Sequence, residues 1–175
     1  AFIVTNTFIH FLNVILVWML AQKLLDSYET GERQKKFIAI LTALLFAIHP
    51  MHVESVAWIS ERKDVLYTLF FLLSLLSYLR FQRKQNYVWL IICFGLFILS
   101  CLSKAMAVPL PFVFLLLDYL KGRKINWKSL LEKVPFIAVA IWFGLNALEI
   151  QSKGAITDFD FFTGLWVTAF AGGAC

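Results

Sequence analysis

The run AFIVTNTFIHFLNVILVWMLAQKLL, Ala1–Leu25, carries no charged side chain before Lys23. As a helix it would extend ~37 Å at 1.5 Å per residue, enough to cross the ~30 Å hydrocarbon layer of a bilayer. Lipid offers no partners to backbone N–H and C=O groups, so a spanning segment must be a helix or a strand of a closed barrel. The run does not show the period-two alternation of a barrel strand, which leaves the helix. It also has neither a basic leading region nor a small-residue cleavage site, so it reads as a span rather than a signal peptide.

Further apolar runs follow at about 37–49, 65–81, 87–103, 105–120 and 134–150, and another starts at about 161 and continues to 175. The expected fold class is therefore all-α. It is a polytopic membrane helical bundle of about six spans plus a partial seventh, with residues 1–175 a piece of one transmembrane domain and an extracytoplasmic interfacial segment at 50–64. Composition agrees: 61% of residues are hydrophobic and 15% charged, where soluble domains hold roughly 45–50% and 25%. The chain starts without Met inside one apolar run and stops inside another, which reads as a fragment.

Lys and Arg number 4 at 23–36, 2 at 50–64, 3 at 80–86, 1 at Lys104, 5 at 121–133 and 1 at Lys153. Alternate connecting segments thus hold 12 and 4 of the 16. By the positive-inside rule KLLDSYETGERQKK, RFQRKQN and KGRKINWKSLLEK are cytoplasmic, and the segments around 50–64 and Lys104 face the other side. The net charge of +5 follows from this topology, so it is not a nucleic-acid footprint. Two runs are short for a span: 37–49 would cover ~20 Å and 105–120 ~24 Å. Both shortfalls fall at the outer end, beside HPMH and SKAMAVPLP. Snorkelling or local thinning can absorb such a mismatch; equally, the polar segments can dip into a water-filled cavity, where non-helical backbone is tolerated at depth.

The stretch AIHPMHVESVAWISERKDVL, Ala47–Leu66, places two His, three acids, one Arg and one Lys between two apolar runs. Pro50 disfavours helical geometry at His49, which ends the second helix there. A short helix restarting near Met51 would carry Glu54, Trp58, Glu61 and Val65 along one side. A solvated charged edge is the plain reading of Glu61, Arg62, Lys63 and Asp64. Together with His49, His52 and Glu54, however, they form a cluster of ionisable groups near membrane depth, where each costs ~2.5–3.5 kcal/mol at the bilayer centre and points to function. Arg62 offers a planar bidentate fork for phosphate, and Lys104, in LSKAMAVPLPF on the same side, a second cation; its plain role is an interfacial anchor.

Other polar features are weaker. HPMHVE is not the HExxH spacing that places two imidazoles on one helical face, so no metal site is expected. Cys93 and Cys101 lie eight apart in one apolar run and read as packing residues, as free Cys usually does. Asp118 ends a helix whose macrodipole opposes it, so pairing with KGRK is expected. Asn146 and Glu149 are candidates for lining the outer cavity, and Asp158 and Asp160 in ITDFDFF read as a solvated connector.

HPMHVESVAWISERKDVL, followed about 40 residues later by LSKAMAVPLPFVFLLLDY and preceded by TNTFIHFLN, resembles the transmembrane and tetratricopeptide-repeat-containing protein O-mannosyltransferases and their bacterial relatives. The resemblance implies a GT-C-like fold and a GT-C-type membrane glycosyltransferase. Such an enzyme moves a sugar, mannose or another hexose, from a polyprenyl- or dolichyl-phosphate carrier to an extracytoplasmic acceptor, a protein Ser or Thr hydroxyl. It maps the family's motif residues onto His49, Pro50, His52, Glu54, Glu61, Arg62 and Asp64, with the Lys of the later motif at Lys104. Many relatives have an acid after that Lys, where Ala105 stands here. The family's usual catalytic base sits in an outer loop that would precede Ala1, so the base is unassigned and the isolated fragment is expected to be inactive.

The donor is then a lipid-linked sugar phosphate, with no cofactor expected. The partners are membrane lipid, the protein acceptor and soluble repeats in the full-length chain. The location is a bacterial inner membrane with the site facing the periplasm, or the endoplasmic reticulum with the site facing the lumen. A transporter or lipid-handling protein using the same polar cavity is the alternative, since transporters carry broken helices in matching positions. A non-catalytic anchor for a repeat domain is another, but an anchor needs no outer charge cluster.

Overall fold

The computed structural model describes residues 2–29, 31–51, 62–123 and 126–147. Among them every regular element is helical. Helix α1 is Phe2–Leu25, α2 Glu32–Ile48, α3 Arg62–Lys84, α4 Tyr87–Ser103, α5 Leu110–Leu120 and α6 Trp127–Leu131. A 3-10 turn at Ala105–Ala107 separates α4 from α5, and α7 occupies 134–147. The span beginning at about 161 and the segment 52–61 lie outside the described residues.

Local chemistry sets most of the breaks. His49 ends α2 in extended geometry (φ −62°, ψ 127°), as expected of a residue before proline. The Asn86 side chain accepts from Val88 N–H at 3.0 Å and starts α4. Gly122, at φ 65°, closes α5 in a Schellman motif: its N–H donates to Tyr119 O at 3.0 Å and the Arg123 N–H to Asp118 O at 2.9 Å. The charged sequence ERQKK, which precedes the second apolar run, is helical as well, so α2 starts at Glu32. That adds about one turn and a half and brings α2 to ~26 Å. The 3-10 turn shortens α5 instead, to ~17 Å. The matched pair of short helices expected at 37–49 and 105–120 therefore becomes one short helix and one of ordinary length.

Helix α3 is the centre. Leu72, Ser74, Leu75, Leu76, Ser77, Tyr78, Leu79 and Phe81 are buried on every side of it. It packs on α1, which runs in the same direction, and on α4, which returns antiparallel; α2 lies against α1 as well. Small polar residues let backbones approach: Ser74 Oγ donates to Cys93 O at 3.1 Å and Ser100 Oγ to Tyr67 O at 3.1 Å. Cys93 and Cys101 are both free and buried, as packing residues should be. Phe94, Phe97, Phe114 and Phe136 meet edge-on or tilted between α4, α5 and α7, with centroids 5.1–5.6 Å apart.

The periphery is apolar. Ile3, Val4, Phe8 and Phe11 of α1, and Ile40, Leu41, Leu44 and Leu45 of α2, are exposed. Exposed apolar faces on this scale require a non-aqueous surrounding. Among the described residues, Ile3–Leu25 of α1, α3 over Arg62–Lys84, and the stretch Ser129–Ala147 that runs from α6 into α7 are long and apolar enough to cross a membrane. The molecule is a helical membrane bundle.

Candidate functional site

Polar side chains gather at the two ends of α3. At its start, α1 contributes Asn6, His10 and Asn13, spaced by four and three residues and therefore stacked on one face. Asn6 and Asn13 are buried within an apolar helix. The Arg62 Nε–H donates to Asn6 Oδ1 at 3.2 Å, and Asn13 Nδ2 donates to Val65 O at 3.0 Å. Between them the His10 ring stacks on Phe46 at 5.6 Å, and its Nε2–H donates to Ala47 O at 3.3 Å. A carbonyl only accepts, so this contact places the proton on Nε2. One polar stripe thus ties α1 to the end of α2 and the start of α3.

The same end holds an ion pair between distant motifs. Lys104 caps α4 with extended backbone (φ −158°, ψ 132°). Its Nζ lies 2.6 Å from Asp64 Oδ1 in the first turn of α3, with both side chains about a quarter exposed. The turn after Lys104 is held against α3 by Tyr67, whose hydroxyl donates to Met106 O at 3.5 Å. A cavity of about 300 Å³ opens here, lined by His10, Asn13, Phe46, Asp64, Tyr67 and Lys104 among others. Asn13 Oδ1 is buried and has no hydrogen-bond partner among the described residues. The wall therefore carries an ammonium, a carboxylate, an imidazole and an amide side chain.

Of the seven residues singled out from sequence, Asp64 and Lys104 come together in this cavity. Arg62 stands two residues before Asp64 in the first turn of α3 and bonds to Asn6, beside the cavity but outside its lining. His49 is exposed at the end of α2, where its Nδ1 accepts from Met51 N–H at 3.3 Å. His52, Glu54 and Glu61 lie outside the described residues, as does Glu149. Among the described residues no group of three or more His, Cys, Asp and Glu is placed to hold a metal ion. Asn6, His10 and Asn13 were not assigned from sequence, although a polar residue every three or four positions in an apolar run is the signal that would have found them.

At the other end of the bundle Asp118 is fully buried. It accepts from Tyr78 OH at 2.8 Å and Ser129 Oγ at 2.9 Å, and also from Gln82 Nε2 and Lys133 Nζ. Arg123 Nη1 stands 3.7 Å away, and its Nη2 pairs with Glu132 at 3.0 Å. The pairing with KGRK expected for Asp118 is present through Arg123, but the main cationic partner is Lys133, fifteen residues on. Burial works against the Arg123 charge, yet Glu132 and Asp118 outweigh it and raise its pKa. This cluster fastens α3, α5, α6 and the turn into α7 together.

The family model of dolichyl-phosphate-mannose-protein mannosyltransferases matches residues 3–150, which enclose both polar clusters. The chain belongs to that family. Mouse protein O-mannosyl-transferase TMTC1 is 44% identical over 73 residues, 42% of this chain and 8% of that protein. Human protein O-mannosyl-transferase TMTC4 is 34% identical over 103 residues, 55% of this chain and 14% of that protein. The Caenorhabditis elegans protein O-mannosyl-transferase F38B6.6 is 33% identical over 106 residues, 61% of this chain and 14% of that protein. The chain therefore spans only a small part of the length of these relatives. No solved structure matches it significantly.

Proposed function

We propose that this chain forms part of a membrane glycosyltransferase that takes mannose or another hexose from a polyprenyl- or dolichyl-phosphate carrier and passes it to a protein hydroxyl on the extracytoplasmic side. The observation that carries the reading is the pairing of Lys104 with Asp64 across two motifs, in a cavity beside Arg62, within a chain of the mannosyltransferase family. In such a transfer the acceptor oxygen attacks the anomeric carbon, the bond to the carrier phosphate breaks, and negative charge develops on that phosphate. Fixed cations aimed at developing charge are commonly a large catalytic contribution. Lys104 is one such cation, held in place by Asp64, and Arg62, positioned by Asn6, is the other. The base that takes the acceptor proton is not assigned to any of these residues.

Sidedness follows from charge. Lys23, Arg80, Arg83, Lys84 and Lys121 gather at the end of the bundle away from Asp64 and Lys104, and the excess of cations favours the cytoplasm for that end. The cavity then faces the periplasm, or the lumen of the endoplasmic reticulum. The test is a transfer assay with lipid-linked sugar on the intact protein. Lys104→Ala and Arg62→Ala should each lower turnover by about 10²–10³-fold if each supplies charge to the leaving phosphate. Undiminished turnover in a folded Lys104→Ala protein would remove this cavity from the mechanism.

A further inference from the structure

The C-terminal ends of α1, α3 and α5 surround a second cavity, of about 530 Å³, at the opposite end of the bundle from Asp64. Five cations, Lys23, Arg80, Arg83, Lys84 and Lys121, line it with one acid, Asp26. A plain account exists, because helix C-termini attract cations. Three such ends carry about half a negative charge each, which offsets less than half of the net four positive charges in the lining. The chain neutralises its neighbouring cations by other means, since Arg123 and Lys133 are paired with Glu132 and Asp118. None of the five forms a salt bridge among the described residues.

The cations are also held in position. Lys121 Nζ donates to Lys23 O and to Ser27 Oγ at 2.6 Å, which ties the end of α5 to the end of α1 and leaves the third ammonium proton for a ligand. Burial pushes the Lys121 pKa down, Asp26 opposes this, and Lys23 adds to it, so an anion beside the ammonium would relieve an unfavourable charge. The Arg80 guanidinium sits 4.9 Å over the Trp89 ring, on the aromatic level where a helix leaves the membrane. Leu79 and the stems of the long cationic side chains supply the apolar share of the wall. A basic pocket between membrane helices at their cation-rich end is suited to a phosphate-bearing headgroup.

We infer that this cavity binds phosphate, and that its source is an anionic membrane lipid whose headgroup enters between α1, α3 and α5. This site is separate from the proposed sugar transfer and does not depend on it. The test uses the purified full-length protein in dodecyl maltoside micelles, titrated with dioleoyl phosphatidylglycerol, dioleoyl phosphatidylcholine or inorganic phosphate, with bound lipid read by native mass spectrometry. Phosphatidylglycerol should be retained in preference to phosphatidylcholine, and inorganic phosphate should displace it poorly. Arg83 and Lys84 are exposed, so Arg83→Gln/Lys84→Gln should fold normally. That variant should bind phosphatidylglycerol about 30-fold more weakly, about five-fold for each cation near the surface. Asp26→Asn, which removes the one acid among the described lining residues, should bind it several-fold more tightly, a gain that a disturbed fold would not produce. Equal retention of both lipids, or unchanged affinity in the double variant, would overturn the site. Inorganic phosphate binding as tightly as the lipid, with the same loss in the double variant, would overturn the lipid as its source.

Discussion

Replacing Asp118 by Ala strands a buried cation, and the structure sets the size of the loss. Asp118 and Lys133 are 0% and 1% exposed, so solvent cannot screen their interaction. Without the carboxylate, Lys133 keeps the carbonyl and hydroxyl oxygens of Ser129, at 3.0 Å each, and the face of the Tyr78 ring 5.5 Å away, none of them an anion. Tyr78 OH and Gln82 Nε2 lose their acceptor at the same time. Removing one member of a buried pair costs about 3–5 kcal/mol, and a buried hydroxyl without an acceptor about 1–3 kcal/mol. These losses belong to one network and overlap, so about 4 kcal/mol is expected, roughly a thousand-fold in the folded-to-unfolded ratio. The assay is unfolding by sodium dodecyl sulfate in mixed micelles, followed by tryptophan fluorescence. Asp118→Asn/Lys133→Met removes both charges and should recover at least ~2 kcal/mol relative to Asp118→Ala. If Asp118→Ala costs less than about 1 kcal/mol, or the double variant is no more stable than the single one, then this cluster does not lock the bundle as described.

Two smaller effects test the joints. Gly122→Ala puts a side chain at φ 65° where nothing lies within 4 Å to clash, so the cost is backbone strain alone, about 1 kcal/mol by the same unfolding assay. Asn13→Leu removes the bond to Val65 O that holds α1 against α3. Polar contacts between membrane helices average about 0.6 kcal/mol, so stability should fall by that order; protection of α3 amides near Val65 from hydrogen exchange should fall with it.

The helical class and the alternation of polar ends are legible in the sequence, because both follow from rules that act locally. An apolar run of spanning length must satisfy its own backbone in lipid, and each loop carries its Lys and Arg bias independently of the fold. Pro50, Asn86 and Gly122 mark their breaks for equally local reasons. The start of α2 was less legible because ERQKK is polar but helix-forming, so the apolar run understates the helix.

Partnership is a different matter. The HP motif and the later Lys motif both stood out, but that Lys104 meets Asp64, forty residues away, is decided by α3 and α4 packing antiparallel. The expectation for Asp118 named the nearest cations in sequence, whereas the fold gave it Lys133 through the turn into α7. Asn6, His10 and Asn13 look like minor interruptions of an apolar helix until α2 and α3 are laid against them. Length, hydropathy and charge bias by themselves determined that this is a membrane helix bundle with one strongly basic end. Only the tertiary structure decided which polar groups share a cavity, since that depends on helix direction and neighbour choice, and those are set by side-chain packing between segments far apart in the chain.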